Sequence, residues 1–238
     1  MQAFLREDII TMGNEKLFHL LQLAGGTFPT GGFSQSWGLE TYVSEQKITD
    51  GQQFIEFSRM YLDRVIESFE GPVYCAAYDL TTDWNEPGLL ELEELVLAMK
   101  LTKETKTAGT RMGKALLRMA GEMLFDVKLK SYYEKNKDLG ISYPIAFGMI
   151  CARLETGKQE GLKALTFSTI NSLTQSAVKL IPLGNTEAQS LMASLYPLME
   201  ECTKRALQKR IEEIENFCPG LDIASMRHEA LQTRLYMS

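Results

Sequence analysis

The sequence predicts an all-α protein, a single-domain bundle of roughly ten helices over residues 1–238. Apolar residues recur at helical spacing through most of the chain, as in Phe54, Phe57, Tyr61, Val65 and Phe69. No turn dipeptide separates two alternating apolar runs, so the sequence gives no sign of β-hairpins. The length of 238 residues allows one domain or two. No Pro/Ser-rich linker or block of like charge divides the chain, and we therefore predict one domain.

The first helices are bounded by glycines and capping residues. An apolar face precedes Gly25-Gly26, which we predict to end the first helix in a left-handed cap; the face consists of Leu17, Leu20, Leu21 and Ala24. Ser34 is predicted to cap a second helix that runs through Glu40 and Val43. Thr49 or Asp50 is predicted to cap the third helix.

The middle of the chain alternates helical patterns with turn signals. Gly71-Pro72 is predicted to interrupt the third helix, because proline is tolerated in the first turn of a helix and not in its interior. After a turn at 85–88, glutamates come early in the next helix and Lys100, Lys103 and Lys106 come late, which complements the helix dipole. A further helix is predicted from about Thr110 to Val127.

The C-terminal half continues the helical pattern. Pro144 is predicted to open a helix that runs to Leu154, and another spans residues 161–180. Thr186 is the predicted cap of a long apolar-periodic segment, in which Pro197 is expected to bend or interrupt the helix unless it lies near a helix start.

Composition excludes several classes of function. The net charge is −6 and the pI about 5.2, which argues against a nucleic-acid-binding protein that relies on a basic field. No apolar run approaches the roughly 20 residues of a membrane span. The four cysteines are scattered with no CxxC pair, and the N-terminus MQAFLREDII does not resemble a signal peptide. We expect a reduced, soluble, cytoplasmic protein.

The glycine-rich stretch GTFPTGGF, residues 26–33, matches only the first half of a phosphate-binding loop. Gly32 stands where that loop needs its lysine, and a helix rather than a strand precedes the stretch. Pro29 and the glycines Gly31 and Gly32 instead fit a shaped turn between helices, since glycine adopts positive φ without strain. We predict no nucleotide site here.

Metal and catalytic signatures are weak. The only histidines are His19 and His228, and no ligand-spaced cysteines or carboxylates surround them, so we predict no metal site and no bound cofactor. The cysteines fit small core residues, and no acid/base pair stands out. A Cys-His nucleophilic pair stays open, because spacing alone does not exclude it.

Two further stretches are unusual. In AVKLIPLG, residues 177–184, Lys179 lies in an apolar run, where it either extends to solvent at a helix end or faces a partner. The tail, at about residues 222–238, carries more apolar residues than a plain solvated terminus, and we predict that a partner orders it.

Taken together, four blocks in order resemble the UreF family of urease accessory proteins across nearly the whole chain: LLQLAGGTFPTGGFSQSWGLE, YPIAFGMICARLE, QSAVKLIPLGNTEAQSLM and MRHEALQTRLYMS. Two positions depart from the family pattern. Gln35 stands where an aromatic residue or histidine is frequent, and Ser142 stands where a histidine often precedes the aromatic-proline pair.

The resemblance implies an all-α, non-catalytic protein that tends to dimerise. Proteins of this kind bind a second accessory protein of the UreD/UreH type, recruit the GTPase UreG and dock on apo-urease. Nickel then reaches the urease active site and the site's lysine is carbamylated. Control of GTP hydrolysis by UreG is a further expectation, for which the sequence names no arginine. Two alternatives stay open: a helical enzyme with a buried small-molecule pocket, and a nickel carrier.

The resemblance also suggests partner-binding residues. In the loop block these are Gly31, Gly32, Phe33, Ser34, Gly38 and Glu40. The glycines would shape the loop, Phe33 would anchor it and Glu40 would pair with a basic group. Lys179 is the candidate in the third block. The tail block supplies the rest, Arg227, His228, Glu229, Thr233 and Arg234, which we expect to dock on the UreD-type partner.

Overall fold

The computed structural model describes residues 15–32, 35–231 and 234–236, and this part of the chain is helical with no β-strand. The all-α prediction is confirmed; the single-domain organisation stays a prediction. A π-helical stretch at Leu62–Glu70 joins α3 to α4, and a 3-10 turn at Ile211–Glu213 follows α11. The α-helices are α1 Lys16–Ala24, α2 Leu39–Ser44, α3 Gly51–Tyr61, α4 Gly71–Thr82, α5 Glu86–Met99, α6 Lys103–Met123, α7 Val127–Asn136, α8 Tyr143–Arg153, α9 Lys158–Leu180, α10 Asn185–Ser194, α11 Tyr196–Gln208 and α12 Pro219–His228.

The predicted break at Gly71-Pro72 is wrong, because α3, the π-helical stretch and α4 form one continuous helix. Proline lacks the N–H that a helix interior needs. In the wider π turn, the Gly71 N–H bonds to the carbonyl of Ile66, five residues back. The Ser68 carbonyl, four residues before the proline, accepts the N–H of Glu215 at 2.9 Å. The π-helical geometry therefore accommodates the proline without ending the helix.

One predicted helix boundary lies elsewhere in the structure. Lys103 and Lys106 belong to the first turns of α6, not to the end of α5. The cause is Thr102, whose Oγ1 accepts the N–H of Thr105 at 3.3 Å and so caps a new helix. As a result α6 begins seven residues before the predicted start at Thr110.

Of the other predictions about helix ends, some are confirmed and one is wrong. Asp50 is the N-cap of α3 and accepts the N–H of Gln53 at 2.9 Å, as predicted. Pro197 lies in the first turn of α11, which is the exception that the prediction allowed, and the long segment divides before it at Leu195. Thr186 is not a cap, because α10 begins at Asn185 after Gly184.

The core centres on α8, in which residues 143–151 are all buried. α8 packs closely against α4: a Cβ atom on Gly148 would lie 2.6 Å from the Tyr74 carbonyl oxygen. Two apolar clusters fill the interior, one around α4, α6 and α8, the other around α3, α9, α10 and α11. Within the described residues no helix combines the length and apolarity needed to cross a membrane.

Elements distant in sequence meet at α2. The last helix, α12, packs against α2 and also against α6, and α9 contacts α2 as well. The loop block, the tail block and the third block of the sequence therefore converge there.

Candidate functional site

The glycine-rich loop is shaped largely as its composition indicates. Gly31 has φ +85° and Gly38 has φ +86°, both in the left-handed region that favours glycine. The predicted left-handed cap at Gly25 is wrong, since that residue is extended with φ −67° and ψ 136°. Phe33 and Ser34 lie outside the described residues, so the anchor role given to Phe33 stays a prediction. The predicted cap at Ser34 is wrong, because α2 begins only at Leu39, directly after Gly38.

Gly38 positions the start of α2 against the C-terminal helix. It is the N-cap residue of α2, and a Cβ atom there would contact Leu221 at 3.4 Å and Ala224 at 3.6 Å. The Ser36 hydroxyl accepts the Glu40 N–H at 3.4 Å. The glycine thus permits both the tight turn and the close approach of α12.

Glu40 binds the C-terminal segment of its own chain. Its side chain is buried at 5% exposure. Its Oε2 atom lies 2.8 Å from His228 Nε2, and its two carboxylate oxygens accept the backbone N–H groups of Leu235 at 2.7 Å and Tyr236 at 3.1 Å. Hydrogen bonds to a charged acceptor are about twice as strong as neutral ones. Glu40 thus contacts His228 of its own chain, and its pairing with a basic group of a partner stays a prediction.

A second carboxylate completes the arrangement around His228, which has no exposed surface. The Nδ1 atom of His228 lies 3.2 Å from Glu104, opposite the contact of Nε2 with Glu40. Each carboxylate is a hydrogen-bond acceptor and faces one nitrogen of the ring. Arg234 Nη1 lies 3.7 Å from Glu104. We call this group the tail-anchor cluster: Glu40, Glu104, His228 and the backbone N–H groups of Leu235 and Tyr236.

Hydroxyl groups fix α12 beside the tail-anchor cluster. The Thr41 hydroxyl donates to the Ala224 carbonyl at 2.9 Å. The hydroxyls of Thr102 and Ser225 lie 3.0 Å apart, and both side chains are buried. Thr102 therefore serves twice, as the cap of α6 and as a contact of α12.

Two further predicted residues, Arg227 of the tail and Lys179 of the third block, lie near this cluster with exposed side chains. Arg227 pairs with Glu45 at 2.8 Å. The Glu45 pKa is lowered, first by its hydrogen bond to Lys47 and then by Arg227. Lys179 Nζ lies 5.7 Å from the centre of the Tyr236 ring, a cation–π geometry, and burial raises the pKa of Tyr236.

Glu229 is exposed and borders a shallow surface cleft with Gln35 and Arg111. Thr233 lies outside the described residues, and its role stays a prediction. Among the other named loop and tail residues, the structure brings Gly38, Glu40, His228 and Arg234 together, and Lys179 reaches the same site through Tyr236.

Sequence reasoning missed Glu104, Thr41 and Tyr236. Glu104 and Thr41 carried no signal that separates them from the other helical carboxylates and hydroxyls. Tyr236 was recognisable as one of the apolar residues of the tail, but not as a contact of Lys179.

The side chains of the tail-anchor cluster do not point at a common position where a metal ion could bind. The two carboxylates lie against different nitrogens of one imidazole ring. Among the described residues no group of three or more His, Cys, Asp or Glu side chains could hold a metal ion.

Comparisons with known proteins agree with the four-block resemblance. A family model for UreF matches residues 48–196. The chain is 34% identical over 227 residues to the urease accessory protein UreF of Bacillus sp. (strain TB-90), covering 94% of this chain and 99% of that protein. The chain belongs to the UreF family. A second UreF, from Sporosarcina pasteurii, is 32% identical over 204 residues, covering 84% of this chain and 100% of that protein. The family model matches residues 48–196 and so does not extend to the glycine-rich loop or the tail, whereas the alignment with the Bacillus protein covers 94% of the chain.

Proposed function

We propose that this chain is an assembly factor of urease maturation. In this proposal it binds a UreD/UreH-type accessory protein, recruits a UreG-type GTPase and assists GTP-dependent nickel insertion into apo-urease. It is not itself an enzyme, and it works in the cytoplasm as a homodimer. Membership of the UreF family supports the setting, urease maturation.

The observation that carries the proposal is the junction of loop and tail at Glu40. Two hydrogen bonds to the Glu40 carboxylate tie residues 234–236 to the start of α2, and a contact of the same carboxylate with His228 adds the end of α12. One surface then includes exposed cationic side chains from the tail and from α9, namely Arg227, Arg234 and Lys179. A partner that contacts this surface meets loop and tail as a unit.

The buried members of the cluster have a different role from the exposed ones. Glu40 and His228 are covered in this conformation and contact each other. We propose that they hold the surface in shape, and that the exposed residues Arg227, Glu229 and Arg234 meet the UreD-type partner.

The assembly role is tested by co-expression with UreD- and UreG-type proteins, followed by pull-down and a urease activation assay. We expect deletion of residues 226–238 to abolish co-purification with the UreD-type partner. That deletion also removes His228 and leaves the carboxylates of Glu40 and Glu104 without it. The double variant Arg227→Ala, Arg234→Ala is therefore the sharper test, because both side chains are exposed.

The matched control is Arg210→Ala, an exposed arginine whose partner is the nearby Glu213. We expect the control to co-purify normally and the double variant to lose most binding, with unchanged helical circular dichroism in both. Full binding by the double variant would exclude the tail arginines as partner contacts.

Lys179 is tested by charge reversal on α9. Lys179→Glu places a carboxylate near the Tyr236 ring, where it loses the cation–π contact and repels acidic partner groups. We expect weaker complex assembly and lower urease activation. Lys163→Glu on the same helix is the control, since Lys163 pairs with Glu200 on α11. Unchanged assembly and activation in Lys179→Glu would rule out this contact.

A further inference from the structure

A cavity of about 300 Å³ lies behind the glycine-rich loop, and the docking proposal does not use it. Residues 25–28 of the loop form one wall, and α9 forms another through Ser168, Asn171, Ser172 and Gln175. This volume is at the lower end of the range for small-molecule pockets. The glycine-rich loop, which lacks the lysine of a phosphate-binding loop, thus covers a cavity large enough for a small molecule.

A buried carboxyl group faces this cavity. Glu70 ends the π-helical stretch, is 8% exposed and lines both this cavity and a smaller one of about 70 Å³. Lys100 lines only the smaller cavity, with its Nζ atom 4.0 Å from Glu70. Charge-assisted hydrogen bonds are normally about 2.7–2.9 Å long. The Lys100 contact is therefore too long for a charge-assisted hydrogen bond to the carboxylate. Among the described residues that line the larger cavity, no basic side chain accompanies Glu70.

Four aromatic side chains line the cavity together with Glu70. They are Phe28, Trp37, Tyr61 and Tyr143. Aromatic faces attract cations, and such cages recognise ammonium groups in other proteins. Tyr61 and Tyr143 line the same cavity as Glu70. Burial raises the pKa of both tyrosines, and the Glu70 charge adds to that rise.

We propose that this cavity binds a small organic cation, an alkylammonium or guanidinium, with Glu70 as its counter-ion and the aromatic rings as its walls. The carboxamides of Asn171 and Gln175 supply acceptor oxygens for the remaining donor N–H groups. The alkyl part of the ligand would lie against Met112 and the rings.

Binding of a cation requires the charged form of Glu70. Burial raises the pKa of Glu70, and Lys100 opposes that shift. The titratable groups near the carboxyl group are Lys100, Tyr61 and Tyr143, and Cys218 and Asp222 line the smaller cavity. We therefore expect affinity for the cation to increase as pH rises through the raised pKa of Glu70.

The two tryptophans give an internal reference for the test. The Trp37 indole Nε1 is buried and has no hydrogen-bond partner among the described residues, whereas Trp84 Nε1 donates to Glu86 at 2.9 Å. Titration of the ¹⁵N-labelled protein with n-butylammonium should move the Trp37 indole signal and leave that of Trp84 in place. The isosteric neutral probe butan-1-ol should bind at least tenfold more weakly.

Glu70→Gln keeps the shape of the side chain and removes its charge. We expect n-butylammonium to bind this variant at least tenfold more weakly, and butan-1-ol to bind it as it binds the wild type. The control is Glu45→Gln, a partly exposed carboxylate that does not line the cavity.

Three results would overturn the proposal: no Trp37 shift with n-butylammonium, equal affinity for butan-1-ol, or a Trp37 response to Ni²⁺ alone. The pH series on the wild type gives an independent test if Glu70→Gln does not fold, because affinity that is flat or falls with rising pH contradicts a Glu70 counter-ion. None of these results depends on the urease partners, so the docking proposal is tested separately.

Discussion

Replacing Glu40 by glutamine should release the C-terminal residues from the body of the protein. The carboxylate accepts the N–H groups of Leu235 and Tyr236, at 2.7 and 3.1 Å, besides its contact with His228. Hydrogen bonds to a charged group contribute about 1.5–3 kcal/mol each, and a neutral one about 1. Glutamine keeps one acceptor oxygen and presents an NH₂ group in place of the other.

The variant therefore retains one neutral bond where the wild type has two charge-assisted ones. The tail loses at least about 2 kcal/mol of stabilisation, which lowers the ratio of docked to released tail roughly 30-fold. Hydrogen–deuterium exchange at the amides of Leu235 and Tyr236 measures this ratio, because exchange occurs from the released state.

Glu45→Gln is the matched control. Glu45 also binds the C-terminal segment, through Arg227, but it does so at the surface, where an ion pair contributes only about 0–1 kcal/mol. We expect it to change exchange at Leu235 and Tyr236 little. The reasoning about the tail-anchor cluster would be refuted if Glu40→Gln left the protection of both amides at its wild-type level.

Three further predictions concern the body of the fold. Burial raises the pKa of Glu93, so this carboxyl group binds a proton more readily in the folded protein than in the unfolded one. The free energy of unfolding of the wild type therefore decreases as pH rises through that pKa. Because glutamine does not titrate, Glu93→Gln should gain stability relative to the wild type from pH 4 to pH 8 in denaturant titrations. Gly113→Ala should fail to fold or lose several kcal/mol, because its Cβ would clash with the Ile141 carbonyl oxygen; a melting temperature equal to wild type would contradict this. Arg205→Met should destabilise the protein, because it leaves the buried Glu67 without its 2.7 Å partner. Loss of one partner of a fully buried pair costs about 3–5 kcal/mol, and we expect a smaller loss because Arg205 is partly exposed to solvent. A change below about 0.5 kcal/mol would show that the pair contributes little.

The helical fold was predictable because its signals are local. Helical spacing of apolar residues and single capping residues such as Asp50 act within a few positions of the chain. The continuity of the helix through Pro72 was not predictable, since it depends on Glu215, far along the chain, which binds the Ser68 carbonyl. Short-range rules for proline assume that this carbonyl has no other donor.

The candidate site was predictable only in part. Gly38 and Glu40 were singled out through the four-block resemblance, and the positive φ of Gly38 agrees with its glycine. The union of Glu40 with His228 joins positions 188 residues apart, and no local pattern encodes it. Glu104 was missed for the same reason, because its role arises only once α6 has packed against α12.

The cavity behind the loop also arises only from tertiary packing. Glu70, Trp37 and Tyr143 come from separate elements, and each of them has an ordinary helical or loop setting in the sequence. A shaped turn was the correct interpretation of the glycine-rich loop, and the wall that this turn forms becomes visible only in three dimensions.

The central claim is that this chain promotes urease maturation through partner proteins. The most direct measurement is the activation of apo-urease by nickel, with UreD- and UreG-type proteins and GTP, in the presence and absence of this chain. We expect urease activity to require this chain. We also expect the wild-type chain to restore urease activity and the Arg227→Ala, Arg234→Ala double variant to fail to restore it. Equal activation without the chain, or full rescue by the double variant, would contradict it.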